Sequence, residues 1–327
     1  MIRLAMLSFW HVHARDYARQ AQAHPEAEIV AVWDEDEQRG SLEALRLGVP
    51  FYRSLSEVLS QDIDGVIVDA PTNIHFDVIL EALKYRKHVF TEKVLTLTYR
   101  EALRIVEEAR RANCILTVSL PRIGDRYTIA IKNILYSGLL GNLTYARVRL
   151  AHNGALANWL PQYFYSFNEC GGGALTDLGC HPLYLLRIFL GMPERLVAQY
   201  GYFSDKEVED NAVAVLSYSN GALGVVEAAF VSSHSHFSIE IFGTKGSLIY
   251  GFPQNKLLLK ENEAENWIEY TLPSSLPSVF EQWISCIKSD RFPYENIELA
   301  LDLSKLVEAC NLSWKRKSTV ELSEISG

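Results

Sequence analysis

Gly65-Val66-Ile67-Val68-Asp69 is a short run with a β-branched centre, and a helical stretch, Asn73–Lys84, separates it from a second run, His88-Val89-Phe90-Thr91. Apolar runs without polar alternation are how strands covered on both faces read, and a helix between two of them marks a parallel crossover. The pattern extends both ways from this unit. Upstream lie strands Ile2–Leu7, Glu28–Trp33 and Pro50–Tyr52, with helical spacing in His13–Ala23, Ser41–Leu47 and Ser54–Ser60. Ser54 and Glu57 have the spacing of a capping box. Downstream, Tyr99–Ala112 is helical and Ile115–Ser119 is a strand. Six strands with helical crossovers predict an α/β domain over residues 1–120, a doubly wound parallel sheet with its ligand crevice beyond the carboxyl ends of the strands.

The pattern changes after about Pro121. Helices are expected at Tyr127–Tyr136 and Ala174–Leu190, with a strand at Leu143–Leu150 between them. Period-2 alternation then marks strands Leu196–Phe203, Ala212–Tyr218, Ala222–Phe230, Ser235–Phe242 and Ser247–Tyr250, separated by turns such as Ser219-Asn220-Gly221. Helices Ser278–Ser289 and Ile297–Lys315 and a last strand, Thr319–Leu322, close the chain. Residues 121–327 therefore read as an α+β domain with a largely antiparallel open sheet, and the ligand is expected in the cleft between the domains.

Composition agrees. The 327 residues, at roughly 150 per domain, predict two domains, and 48% apolar with 22% charged residues is ordinary globular usage. Lys+Arg 31 against Asp+Glu 40 gives a net charge of −9, which argues against a nucleic-acid backbone or an anionic membrane as partner. No apolar run approaches the ~18 residues of a membrane span. Leu4–Trp10 is too short for a signal sequence and runs into His11, His13 and Arg15, so it reads as a buried strand. The five cysteines (Cys114, Cys170, Cys180, Cys286, Cys310) are scattered without CxxC spacing, which fits a reducing cytoplasm better than a disulfide framework.

A dinucleotide-binding turn needs Gly-x-Gly-x-x-Gly between the first strand and helix, so that backbone N–H groups can approach the pyrophosphate. Here that place is held by Ser8-Phe9-Trp10-His11-Val12-His13, and no glycine position is glycine. Ser8 is small and its hydroxyl can donate; the Trp10 indole stands where backbone should meet phosphate. Asp34 points the other way. It ends the second strand, where a carboxylate accepts from ribose hydroxyls and repels a 2′-phosphate, favouring NAD over NADP; the alternative is a surface acid within Asp34-Glu35-Asp36-Glu37. His11 and His13 do not share a helix face and no nearby Cys or further His completes a set, so no metal is expected.

Three later segments bear on function: Val68-Asp69-Ala70-Pro71-Thr72-Asn73-Ile74-His75, then His88-Val89-Phe90-Thr91-Glu92-Lys93, then Gly171-Gly172-Gly173-Ala174-Leu175-Thr176-Asp177-Leu178-Gly179-Cys180-His181-Pro182. In this order and spacing, over essentially the whole chain and with the Phe242-Gly243-Thr244-Lys245-Gly246 turn, the sequence resembles the Gfo/Idh/MocA family, glucose–fructose oxidoreductase, inositol dehydrogenase and relatives. The resemblance implies an N-terminal Rossmann-type domain that binds a nicotinamide cofactor, and oxidation of a sugar or polyol hydroxyl or the reverse reduction. It also implies that Lys93 lies between nicotinamide and substrate and that His181 transfers the proton. The residues support this independently: Asp177 and His181 are i and i+4, so on a helix they point the same way, and an imidazole beside a carboxylate can bind a hydroxyl and move its proton. The charge of Lys93 at a strand end would favour a developing alkoxide. The bland alternative is a surface Lys–Asp pair and a His capping a turn.

The resemblance further implies that Ser8, Phe9, Trp10, His11, Val12, Asp34, Ala70, Pro71, Thr72, Asn73, His75, Glu92 and Lys93 line the cofactor. A plain strand-to-helix turn capped by Thr72 or Asn73 is the alternative for the fourth-strand segment. Arg122, after the domain crossover, and His152, Trp159 and Tyr163, before the glycines, are the further substrate-side candidates, along with Lys93, Asp177 and His181. Two departures stand out: Glu92-Lys93-Val94 where the family usually has Glu-Lys-Pro, and the glycine-free loop, which leaves open a catalytically impaired sugar- or nucleotide-binding regulatory protein. Relatives commonly bury the second sheet's open face in dimers or tetramers, and apolar Val225, Phe230, Ile239 and Ile241 exceed what one helix layer can cover, so a homodimer or homotetramer is expected.

Overall fold

The computed structural model describes residues 1–234 and 236–327. Their contacts divide the chain into two compact units: Met1–Leu120 with Pro277–Leu301 and Gly327, and Pro121–Leu276 with Asp302–Ser326. Among the described residues, no helix is long and apolar enough to cross a membrane.

In the first unit six strands, β1 (Ile2–Leu7), β2 (Ala27–Trp33), β3 (Phe51–Tyr52), β4 (Gly65–Val68), β5 (His88–Thr91) and β6 (Leu116–Val118), form one parallel sheet in the order β3-β2-β1-β4-β5-β6. The strand order reverses at β1, and this switch point is where an open α/β sheet leaves a crevice. Leu7 is in register with Trp33 on one side and Val68 on the other. Parallel pairing therefore brings the next residues of three strands, Ser8, Asp34 and Asp69, to one edge, and Glu92 follows β5 at the same edge.

Helices cover both faces because every residue of β4 is buried, as the apolar run required. One cover comes from far along the chain. Helix Val279–Ser289 turns Phe280, Trp283 and Ile284 into this core, with the Phe280 and Trp283 rings 5.7 and 5.6 Å from Phe90. Residues Pro277–Leu301 thus pack with the first sheet, whereas the sequence pattern runs 121–327 as one piece. Gly65 lies under this helix, where a Cβ would meet the Trp283 ring at 3.2 Å.

Several local expectations change. Ser54 precedes helix Leu55–Leu59, but its hydroxyl bonds Ser56 Oγ at 2.7 Å and caps nothing, so the capping box does not form. The helix expected from Asn73 opens as a 3₁₀ turn, Thr72–Ile74, and becomes α only at His75–Lys84, with Ile74 at its N-cap position.

Among the described residues the second unit contains nine strands: β7 (Leu143–Ala151), β8 (Arg195–Gly201), β9 (Asn211–Ser217), β10 (Leu223–Ala229), β11 (Phe237–Gly243), β12 (Gly246–Gly251), β13 (Lys256–Glu261), β14 (Ile268–Glu269) and β15 (Val320–Glu321). Their order is β14-β13-β12-β11-β7-β10-β9-β8-β15. Every pairing is antiparallel except β7 with β10, so the sheet is mixed. Strands β13 and β14 were not anticipated, and Ser235, the expected start of β11, lies outside the described residues.

Alternate residues (Ala146 and Val148, Ala212 and Ala214, Val226 and Ala228, Ile239 and Ile241) are buried on one face, where helix Cys180–Leu190 packs on β7 and β10. Phe230, Ile239 and Ile241 are therefore spent inside this unit, against the expectation that they would be left over. The other face carries a charge network: Arg147 Nε to Glu227 Oε1 at 2.7 Å, Arg147 Nη1 to Glu240 Oε1 at 2.9 Å, and Arg149 Nη1 to Glu227 Oε2 at 3.0 Å. Only Val225 of the four apolar residues is left part-exposed beside it.

Candidate active site

At the strand-end edge of the first unit, Ser8 has φ +77°, the left-handed conformation that glycine adopts without strain. Its N–H donates to Trp33 O at 2.7 Å, and its Oγ accepts from Trp10 N–H at 3.1 Å, so the serine closes the turn on itself. The Trp10 indole is 2% exposed and packs inward beside His11. Phe9 is buried and Val12 is exposed. Phe9 N–H donates to Asp34 Oδ2 at 2.8 Å. Asp34 is buried, and Arg39 forks onto it, Nε to Oδ2 at 3.0 Å and Nη2 to Oδ1 at 2.6 Å. This carboxylate is not a free surface acid; it arrives with its own counter-charge.

Glu92 is the hub of a second cluster. Its Oε1 accepts from Tyr17 O–H and lies 2.9 Å from His13 Nδ1 and 4.0 Å from His11 Nδ1, while Oε2 accepts from Lys93 N–H at 2.8 Å. Burial would raise this carboxyl, but the His11 and His13 imidazoles and Lys93 overcome it and hold it well below its ordinary range. His11 and His13 precede the first helix instead of lying on it, so their rings do meet, 4.6 Å apart, and with Glu92 their ligand atoms fall within 4.8 Å. The expectation that nothing completes a metal set thus fails on geometry. His11 Nδ1 accepts from His13 N–H at 3.3 Å and Glu92 holds His13 and Tyr17, so hydrogen bonds within the cluster help to compensate its buried charge.

Asp69 lies in the segment quoted after the fourth strand but was not among the candidate site residues. Both its carboxyl oxygens are buried without a hydrogen-bond partner among the described residues, and burial, then Glu92, push its pKa well up. Ala70 and Pro71 are buried, Thr72 is half-buried and Asn73 exposed. His75 is a staple: Nε2 lies 3.0 Å from Ala70 O and Nδ1 3.0 Å from Val94 O, tying the turns after β4 and β5 together. Burial lowers its pKa. Lys93 is buried, and the Lys93–Val94 peptide is cis without proline.

In the second unit the segment expected as one helix divides. Leu175–Gly179 is a π-helix turn that runs into α-helix Cys180–Leu190. Asp177 lies in the π turn and His181 in the α-helix, so their i, i+4 separation is not that of a continuous α-helix; π turns recur at functional sites. The turn is clasped by Glu209, whose Oε2 and Oε1 accept from Gly173 and Leu175 N–H, both at 3.0 Å. Gly173 must be glycine because a Cβ would strike the Glu209 carbonyl. Burial pushes the Glu209 carboxyl up to about 7.

His181 is buried with Nδ1 2.9 Å from Tyr184 Oη. The same phenol oxygen accepts from Arg122 N–H at 3.1 Å. The Arg122 guanidinium lies 4.5 Å over the Phe237 ring and donates from Nη1 to Tyr127 Oη at 3.1 Å. His152 stacks on Phe230 at 5.0 Å and accepts from Gly154 N–H at 3.0 Å; burial lowers its pKa and Asp177 opposes this. Trp159 is 54% exposed and Tyr163 half-buried, both flanking this stretch. Tyr165, whose hydroxyl is buried without a partner among the described residues and whose pKa is pushed up to about 12 by burial and then by Asp177, was not selected from sequence, nor were Tyr184 and Glu209. No motif marks them, because their importance lies in which atom they meet.

The fold and these groups define a class, and comparison with known proteins agrees. Residues 10–120 match the model of an oxidoreductase family with an NAD-binding Rossmann fold, and residues 128–249 match the GFO/IDH/MocA C-terminal domain. The chain belongs to the GFO/IDH/MocA oxidoreductase family. It is 26% identical over 327 residues to myo-inositol 2-dehydrogenase of Thermotoga maritima, covering 95% of this chain and 96% of that one. It is 28% identical over 236 residues to scyllo-inositol 2-dehydrogenase (NAD(+)) of Bacillus subtilis, covering 69% and 67%. A solved inositol dehydrogenase homolog from Azotobacter vinelandii, complexed with NAD+, superposes with a TM-score of 0.81 at 23% identity, covering 98% of this chain and 97% of that one.

The residues fit the dinucleotide that the family binds. Ser8 supplies the left-handed turn in place of glycine, and Asp34 stands at the end of β2 with a backbone N–H of the loop already on it.

Proposed function

We propose that the chain oxidises a hydroxyl of a sugar, polyol or derivative, or reduces the corresponding carbonyl, with NAD(H). The observation that carries this reading is the Ser8 turn at φ +77° with Asp34 buried across from it, a dinucleotide loop built without glycine. Residues 1–120 hold the cofactor through the loop 8–12, Asp34, the 70–75 turn and Glu92; residues 121–327 hold the substrate. When bound, the nicotinamide supplies the hydride acceptor or donor. His181 serves as the acid/base at the reacting oxygen, and Lys93 and Asp177 position the substrate. Arg122, His152, Trp159 and Tyr163 are the remaining substrate-side residues; two of them, Arg122 and His152, are held in place by the ring contacts described above. NAD is favoured over NADP because Asp34 presents a carboxylate, though Arg39 offsets part of its charge.

A homodimer or homotetramer through the second sheet is carried over from the family resemblance, and the five free cysteines support a cytoplasmic setting. A second reading, a sugar- or nucleotide-binding regulatory protein that has lost turnover, is favoured by Trp10 in the loop.

Calorimetric titration of nucleotide-free protein with NADH and then NADPH, followed by a sugar and polyol activity screen, tests the proposal. Tight NADH binding with weaker NADPH binding is the expected result. Binding of neither to folded protein removes the oxidoreductase reading, and binding without any turnover moves the weight to the regulatory one.

A further inference from the structure

We propose that His11, His13 and Glu92 form a binding site for one divalent cation of the zinc class, which ties the loop after β1 to the end of β5. All three residues belong to the first unit, and the inference does not rest on the redox function proposed above.

Each of the three residues offers one ligand atom, and these atoms lie within 4.8 Å of one another. His13 Nδ1 stands 2.9 Å and His11 Nδ1 4.0 Å from Glu92 Oε1. Ligand atoms held at about 2.0–2.2 Å from a tetrahedral ion are roughly 3.4 Å apart, so these two distances bracket the spacing that such an ion needs. The backbone delivers the set. His11 and His13 precede helix Ala14–Ala23 and bring their rings to 4.6 Å, while Glu92 follows β5 at the same strand-end edge. Two imidazoles with a carboxylate select a zinc-class ion over magnesium or calcium, which take oxygen ligands. The ion replaces the proton between His13 Nδ1 and Glu92 Oε1 and the long bond, 3.3 Å, from His13 N–H to His11 Nδ1.

Hydrogen bonds within the cluster account for His13 and Glu92 but not for Asp69. The Asp69 carbonyl accepts from His11 N–H at 3.0 Å, and its side chain is fully buried within electrostatic reach of Glu92. Neither of its carboxyl oxygens has a hydrogen-bond partner among the described residues. Two buried carboxyl groups side by side are unfavourable unless positive charge reaches them. A dication held by Glu92 supplies that charge, and Asp69, which is not one of the three ligands, balances it from behind, as carboxylates beside metal ligands do. Two ligands on the loop and a third on the end of β5 pin a turn that contains no glycine, Ser8–His13, to the sheet.

The test is calorimetric titration of chelator-stripped, nucleotide-free protein with zinc chloride, with thermal unfolding and zinc-edge X-ray absorption on the same samples. One zinc per chain is expected, held by nitrogen and oxygen with two imidazoles and no sulfur, together with a rise in the unfolding temperature. His13 is half-buried, so His13→Gln leaves the core intact. This variant is expected to bind zinc at least about tenfold more weakly and to lose the rise. Absence of zinc binding by the wild type overturns the proposal, and so does a zinc spectrum with sulfur or with fewer than two imidazoles, even if the variant fails to fold. Unchanged zinc affinity in folded His13→Gln overturns it too, since the ion then sits elsewhere.

Discussion

Replacing Glu209 by glutamine should reverse sign in its effect on stability between pH 5 and pH 8. Glu209 is buried, and burial pushes its carboxyl from the ordinary 4.5 up to about 7 in the folded chain. Below pH 4.5 the acid is protonated in both states and costs nothing extra. As pH rises, the unfolded chain ionises first, so the native state binds more protons and stability falls until the folded acid ionises too. With these two values the loss is about 1 kcal/mol at pH 5 and about 3 kcal/mol at pH 8, a difference of about 2 kcal/mol.

Glutamine removes the titration but cannot accept from both Gly173 and Leu175 N–H, because one side of its amide is a donor. That mismatch costs about 1–3 kcal/mol at every pH. The variant is therefore expected to be less stable than wild type at pH 5 and equal or more stable at pH 8. Urea titrations of both proteins at the two pH values and one ionic strength measure this, since the difference cancels all other titrating groups. A wild-type-minus-variant difference that is the same at both pH values, within about 0.5 kcal/mol, would refute the raised acid and with it the burial argument for the clasp.

Two further outcomes are expected. Arg39→Ala removes the fork from Asp34 and leaves a bare carboxylate at the ribose position, so the ratio of NADPH to NADH dissociation constants should rise about tenfold by calorimetry; an unchanged or smaller ratio means that Asp34 does not face the ribose. Ser8→Ala keeps the left-handed strain and loses the bond from Trp10 N–H, costing about 1 kcal/mol in thermal unfolding, whereas Ser8→Gly relieves the strain, offsets that loss and stays near wild type; a Gly variant no better than Ala would place the strain elsewhere.

Much of the frame could be read from residue order alone. The apolar centres of β1, β4 and β5 required cover on both faces, and parallel strands share one carboxyl edge, so Ser8, Asp34 and Glu92 had to meet there whatever the loops did. Burial class follows period because a side chain's direction is set by its own backbone. Partner identity does not follow in this way. Trp283 enters the first core from a helix some two hundred residues after β5, Glu209 reaches back to Gly173, and Tyr184 takes its second partner from Arg122 across a chain reversal. The α-helical spacing of Asp177 and His181 was equally unreadable, since a π turn depends on what clasps its start. The sequence determined the layered sheet, the strand-end edge and the residue types delivered to it, because these depend on local periodicity. Which atom each buried polar group meets, and so which proton sits where, was decided only by tertiary structure, because those contacts join segments far apart in the chain and their energies depend on tenths of an ångström.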